Sequence, residues 1–376
     1  FDLYDEMCVL RPRYVGEEAG LESTKAGVLS ADPQEQTKPA QRVVSTGFTD
    51  DATPTDPIDP KRSLQSSAMY YFWLEVGEPV AGSIEAERVE LDIEELPPEA
   101  KLQVALFSFE GELGISEGAD IGELLVNRDG TVTVATPVVK PSRASEALLG
   151  RRLFFPVSTP RTEGTYRLRC NIYYQQILLQ SRLITVRVTA KSEASKFGEV
   201  MLEAKADYII SKSLDGHKLA QMPEHALSIM LNSNGEGTHG FRFFGSSEFK
   251  NDASFTAGEL SDLLEKARGA LRLAAWGDDK EYSGQSYRYT DRNVERLKKD
   301  LIRCAVRGYR FYDAMVSRIG GRGRQLRAFE ALLANPGQLQ IAHKESPGLV
   351  FPAALIYDYR LETTTNFSEF KLCAEF

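Results

Sequence analysis

The chain has 376 residues, with 45 Lys+Arg against 54 Asp+Glu and a formal net charge of −9. That length predicts two or three domains at about 100–200 residues each, and 42% hydrophobic with 10% aromatic residues excludes global disorder. The acidic balance argues against non-specific coating of nucleic acid, and no apolar run approaches the roughly 20 residues of a membrane span.

Residues 1–15 offer Tyr4, Met7, Val9, Leu10 and Val15 as apolar positions that dock a strand or turn on a neighbour. Phe1–Cys8 has neither an initiator Met nor the pattern of a signal peptide, and Phe370–Phe376 is an apolar, strand-like run. Both ends therefore read as cut from something longer. From Gly16 to about Ser67 the composition shifts. Thr49–Pro60 holds four Asp and three Pro, and each Pro removes a backbone donor and pushes its predecessor out of helix. Residues 1–68 are read as an arm and Pro/Asp-rich linker, with a short strand at Arg42–Phe48.

Residues 69–190 read as all-β. Met69–Val76, Val89–Ile93, Leu102–Phe109, Thr131–Val139, Arg152–Val157, Thr165–Tyr174 and Leu178–Thr189 are rich in β-branched and aromatic residues. Pro97-Pro98, Gly111, Asp129-Gly130 and Thr162–Gly164 separate them, and Gln175-Gln176 turns the last hairpin. This spacing predicts a β-sandwich.

Residues 191–376 change character. Phe197–Ser211, Ala226–Leu231 and Thr238–Phe244 read as strands. Ala257–Ala275 places Leu260, Leu263, Leu264, Ala267, Leu271 and Ala274 on one helical face. A longer helix carries Val294, Leu297, Leu301, Cys304, Gly308, Tyr312 and Met315 at spacings of 3 and 4, and Gly320-Gly321 ends it. Gln325–Ala334 is a third helix, Leu339–His343 a strand, and Val350–Asp358 a buried apolar element. Strands joined by helices predict an α/β layer with some parallel pairing.

Candidate chemistry is sparse. The cysteines Cys8, Cys170, Cys304 and Cys373 form no CxxC and no disulfide framework; free thiols without a signal peptide predict a reducing cytoplasm. His217, His225, His239 and His343 are the only histidines. His239 follows a Gly-rich turn, where an imidazole can take a thiol proton, yet Phe241–Phe244 continue it as a strand. His343 alternates with Leu339 and Ile341 as a packed strand residue, and Cys304 sits on the apolar face of the long helix. No cluster has metal-ligand spacing, and Gly235-Glu-Gly237 lacks the following Gly-Lys-Ser/Thr of a phosphate loop, so no cofactor is expected. One basic run breaks the acidic average: Arg303, Arg307, Arg310, Arg318, Arg322, Arg324 and Arg327. Arg318, Arg322, Arg324 and Arg327 are candidates for gripping an acidic partner protein or, less well, nucleic acid, since no aromatics interleave them. The competing reading is a solvated face paired with Asp300, Asp313 and Glu330.

Asp300–Asp313 resembles the CHAT-family helix that ends "G..LY..L". Leu339–His343 is similar to the strand that follows it, and Leu349–Asp358 to the family's "iPWELLYD" element, with Ala353 and Ala354 where Trp and Glu are usual. Gly164–Tyr174 and Leu178–Ser181 resemble the β-sandwich that precedes CHAT domains in some multidomain bacterial proteins. The pair His239-Gly240 resembles the His-Gly of caspase-type proteases only as a dipeptide, since Phe241–Phe244 continue it as a strand and no Cys follows at the end of a nearby strand. The resemblance implies a β-sandwich followed by the first portion of a caspase-like α/β sheet over 191–376. It also implies a cysteine protease associated with bacterial defence and regulated cell death. No residue matches either member of the family's catalytic dyad, so the resemblance implies that the His and Cys lie beyond Phe376, and the rest of the polypeptide becomes an expected partner. The alternative is an inactive adaptor docking through the long helix and the arginine segment.

Overall fold

The computed structural model describes residues 42–91, 96–195, 197–210, 219, 221–235, 237–245, 249–288, 293–319, 323–335, 337–344, 355–362, 365 and 367–372. The chain divides into two units, Phe1–Pro39 and Ala40–Phe376; all described residues fall in the second. The expected docking segment 1–15, Cys8, His217, Gly320-Gly321, Arg322 and Cys373 lie outside them.

The unit is mixed α/β and strand-rich, with several sheets and a few helices. A four-stranded sheet runs β1 (Val43–Thr49), β3 (Met69–Gly77), β8 (Arg152–Ser158), β5 (Gly114–Ile115). A seven-stranded sheet runs β11 (Leu202–Ile209), β10 (Ile177–Thr189), β9 (Gly164–Tyr174), β4 (Lys101–Ser108), β6 (Ile121–Val126), β7 (Val132–Thr136), with β2 (Leu64–Gln65) beside β10. The short helix α1 (Glu146–Leu149) precedes β8. Both sheets feed one apolar core: Phe48, Phe72 and Phe155 from the first meet Leu106, Ile172 and Ile184 from the second. Within it Arg182 is wholly buried and donates from Nε to Glu85 (3.2 Å), whose other oxygen accepts from Thr46 Oγ1 (2.5 Å).

The third sheet is four-stranded, β14 (Phe249–Thr256), β13 (Thr238–Gly245), β12 (Leu227–Gly235), β15 (Leu339–His343). β12 and β15 pair in parallel, the expected α/β feature, with Leu227 opposite Leu339 and Leu231 opposite His343. One face of this sheet packs under α2 (Ala257–Trp276), α3 (Val294–Ile319) and α4 (Arg324–Leu333), through Leu231, Phe241, Phe243, Leu260, Leu264, Phe311, Met315 and Phe329. Its other face meets the outer face of the seven-stranded sheet, where Tyr173 stacks on Phe244 at 4.2 Å. The seven-stranded sheet is thus buried on both faces around Ala105, Phe107, Tyr173 and Leu178, while outer-face Arg187, Glu203 and Lys205 stay exposed.

Several expectations change. The short strand expected at Arg42–Phe48 within an arm runs Val43–Thr49, buried at every position and antiparallel to β3. Val89–Ile93 is not a described strand: Glu90 makes one isolated bridge to Val43, only Leu91 is buried among the charges, and 92–95 lie outside the described residues. The strand expected from Phe197 begins at Leu202, where alternation begins; Phe197 is 89% exposed. β6 and β14 were not expected at all. On α2, Leu271 is 46% exposed and Ala270 buried instead, and the first turns of α3 expose Val294 and Leu297. The Val350–Asp358 element is outside the described residues to 354, and Ile356 to Arg360 are exposed rather than buried, because the segment crosses α3 with its backbone. Phe370–Leu372 is not a strand.

Candidate functional site

Open α/β sheets bind ligands beyond the C-terminal ends of their parallel strands. Here that edge is the end of β12 and β15. His343 closes β15, with its Nε2 buried and without a hydrogen-bond partner among the described residues. His239 stands opposite Ser233 of β12 and Phe255 of β14, so the two histidines lie on different strands with β12 between them.

Beneath this edge runs a polar seam, built by strand alternation. On β9, Leu168, Cys170 and Ile172 enter the apolar core, so Arg167, Arg169, Asn171 and Tyr173 face the third sheet. Arg169 is wholly buried and donates to Asp207 of β11 in a fork, Nη1 to Oδ1 at 2.8 Å and Nη2 to Oδ2 at 3.0 Å. Asp207 also accepts from Lys344, the residue after His343. Burial pushes the Asp207 carboxyl up, but its hydrogen bonds and charge contacts with Arg169 and Lys344 outweigh this and hold it below its ordinary value. Asp207 therefore ties the seven-stranded sheet to the C-terminal end of β15.

The rest of the seam is also paired. Arg167 binds Glu112 (Nε to Oε1, 3.0 Å) and donates to the Asn234 carbonyl. Arg242, on β13, lies 3.6 Å from Asp252 and 3.4 Å from Asn234 Oδ1; burial lowers its pKa to about 10. Gly240 makes room, since a Cβ there would collide with Asn234 and the Arg242 guanidinium. Gln340 of β15 accepts from Ser228 (2.8 Å) and donates to the Leu178 carbonyl (3.2 Å). These charges are consumed by one another, so the seam positions layers rather than offering an open reactive group.

Neither described cysteine fits a nucleophile. Cys170 is fully buried in the shared core, and burial pushes its thiol up to about 12. Burial, then Asp300, also raises Cys304. A nucleophile needs the opposite shift, toward thiolate.

Of the arginine candidates, Arg318, Arg324 and Arg327 lie among the described residues. Arg318 pairs with Glu259 and lies over the Phe255 ring at 5.7 Å. Arg324 and Arg327 are exposed at the start of α4. Arg303 binds Asp300 at 2.8 Å, and Asp300 is buried rather than on a solvated face. Arg169 was missed because Arg167-Leu168-Arg169 in a strand reads as a solvent face. Tyr173 on that same face was the available contrary signal.

No family model matches the chain, and no solved structure matches it. A protein of Vitiosangium sp. (strain GDMCC 1.1324) named "Probable protease" is 36% identical over 353 residues, covering 92% of this chain and 45% of that protein. The chain thus spans about half the length of this curated relative. No helix among the described residues is long and apolar enough to cross a membrane.

Proposed function

We propose that this chain is the non-catalytic portion of a CHAT-type, caspase-like cysteine protease of bacterial defence or regulated cell death, acting in the cytoplasm on a protein substrate. Its catalytic His and Cys are carried outside residues 1–376. The observation that carries this reading is the 36% identity to a protein named a protease over 92% of the chain. The raised thiols of Cys170 and Cys304 support it. In the layout we infer, the first two sheets form the β-sandwich, drawing β1 and β11 into its core, and β12–β15 with α2–α4 begin the caspase-like layer.

The test uses the protein at the full length its gene encodes, with a peptide library as substrate. Peptidase activity should disappear on iodoacetamide treatment and persist when Cys8, Cys170, Cys304 and Cys373 are all replaced by Ala. Activity that resists alkylation, or that is lost with Cys304 alone, would overturn the reading.

A further inference from the structure

Among the described elements, the chain crosses the seam between the seven-stranded and third sheets once. The strands β1–β11 lie on one side of it, and β12–β15 with α2–α4 on the other. The third sheet and its helices keep a core of their own, through Phe241, Phe243, Leu260 and Phe311. The seam has a small apolar centre, Phe107 and Tyr173 against Met230, Phe244 and Ala342. Closing it leaves polar atoms on both sides without partners. Arg169 Nε and Asn171 Oδ1 of the seven-stranded sheet are buried with no hydrogen bond to a described residue, as are Asn232 Oδ1 and Arg242 Nε of the third. These four residues are at most 1% exposed. Arg169 Nη1 and Asn171 Nδ2 also face the Met230 thioether, at 4.0 and 3.8 Å, a weak acceptor. A buried polar atom without a partner forfeits its hydration, and water entering the seam removes that cost.

Ion pairs hold the seam at opposite edges. Lys250 of β14 binds Asp120, just before β6, and lies over the Phe107 ring at 4.9 Å. Lys344, just past β15, binds Asp207 of β11. β14 and β15 are the two outer strands of the third sheet. In both pairs the third sheet supplies the lysine and the seven-stranded sheet the aspartate. The lysine side chains are 16% and 34% exposed, so dissolved salt screens them. Hydrogen bonds from Arg167 to the Asn234 carbonyl and between Gln340 and Leu178 also cross the seam, and water can replace both.

A single crossing, separate cores and an under-satisfied polar contact are the marks of a joint that opens before the parts it joins unfold. We propose that the third sheet and its helices open from the seven-stranded sheet as one body, with the Lys250–Asp120 and Lys344–Asp207 pairs as salt-sensitive latches. Opening bares Tyr173 and Phe244 and leaves the sheets on either side intact. The inference stands apart from the protease reading and is tested without any activity measurement.

The experiment is alkylation of single introduced thiols in the full chain, located by peptide mass spectrometry. Ala342→Cys on β15 and Ala105→Cys on β4 probe the seam from its two sides. Ala253→Cys on β14 probes the core between the third sheet and its helices. Each of these alanines is at most 6% exposed. The seam thiols should react at least fivefold faster than the thiol at position 253. Raising NaCl from about 50 to 500 mM shortens the screening length and should speed the seam thiols further. Lys250→Gln/Lys344→Gln should speed them at least fivefold, flatten that salt response and leave position 253 unchanged. Two seam positions keep the test standing if one variant fails to fold by circular dichroism. Equal rates at all three positions would show that the seam opens only on global unfolding and would overturn the proposal. Seam rates indifferent to both salt and the lysine substitutions would overturn it too, as would an equal acceleration at position 253.

Discussion

At the scale of single residues, Asp207 has the clearest consequence. It is the shared acceptor of the wholly buried Arg169 and of Lys344. Removing one partner of a buried pair leaves an uncompensated charge, so Asp207→Ala should cost about 3–5 kcal/mol, read from urea unfolding at pH 7. The pH dependence has a defined sign. The folded carboxyl is held below its unfolded value, so its contribution is complete above the ordinary carboxylate range, around pH 4, and is lost as pH falls through the folded value. The wild-type midpoint should therefore drop faster than that of Asp207→Asn on acidification; parallel declines would count against this. None of it was legible in sequence, because Arg169 and Asp207 lie on strands that become neighbours only through β10. The strand carrying His343 was located correctly, but its packed position is Ala342, while Leu339, expected to alternate inward with His343, is exposed.

At the scale of elements, hydrophobic periodicity located most strands and all three long helices. Where it failed, the reason is visible. β6 was missed because Gly122 holds an inward position: a Cβ there would meet Val138 Cγ2 at 2.7 Å and Leu153 Cδ2 at 3.0 Å, so the period has a gap where the space is already filled. β14 was missed because Lys250, Asn251 and Asp252 interrupt it, although Phe249, Ala253 and Phe255 all reach the core. The start of α2 was readable, since Thr256 and Glu259 form a capping box. The crossing of α3 by 355–358 was not, because it depends on the absence of a side chain at Gly308. Gly308→Ala should displace that segment while sparing the sheet. Hydrogen exchange should accelerate across 355–362 and stay slow in β12 and β13; unchanged protection over 355–362 would refute this role.

At the scale of the whole described unit, the layers follow in order: first sheet, seven-stranded sheet, third sheet, helices. The expected boundary at 190/191 follows the last strand of the predicted sandwich, Leu178–Thr189, and precedes a region of strands joined by helices. Packing follows a different line. β11 lies past that boundary, yet Leu202 and Ala204 complete the core of the first two sheets, while Asp207 and Tyr208 face the third. The double-faced β9 makes the seven-stranded sheet a party wall between two rooms. A gene fragment starting at residue 191 would bare Met230, Phe244 and Arg242, and one stopping at 190 would strip Arg169 of its carboxylate. Neither half is expected to give a cooperative thermal transition by calorimetry, whereas a fragment from Ala40 should. Two well-folded halves from a cut at 190/191 would show that the wall is dispensable. Dissection of this protein at that boundary would thus yield two broken pieces, and inheritance of the two rooms as separate modules would require rebuilding one side of β9.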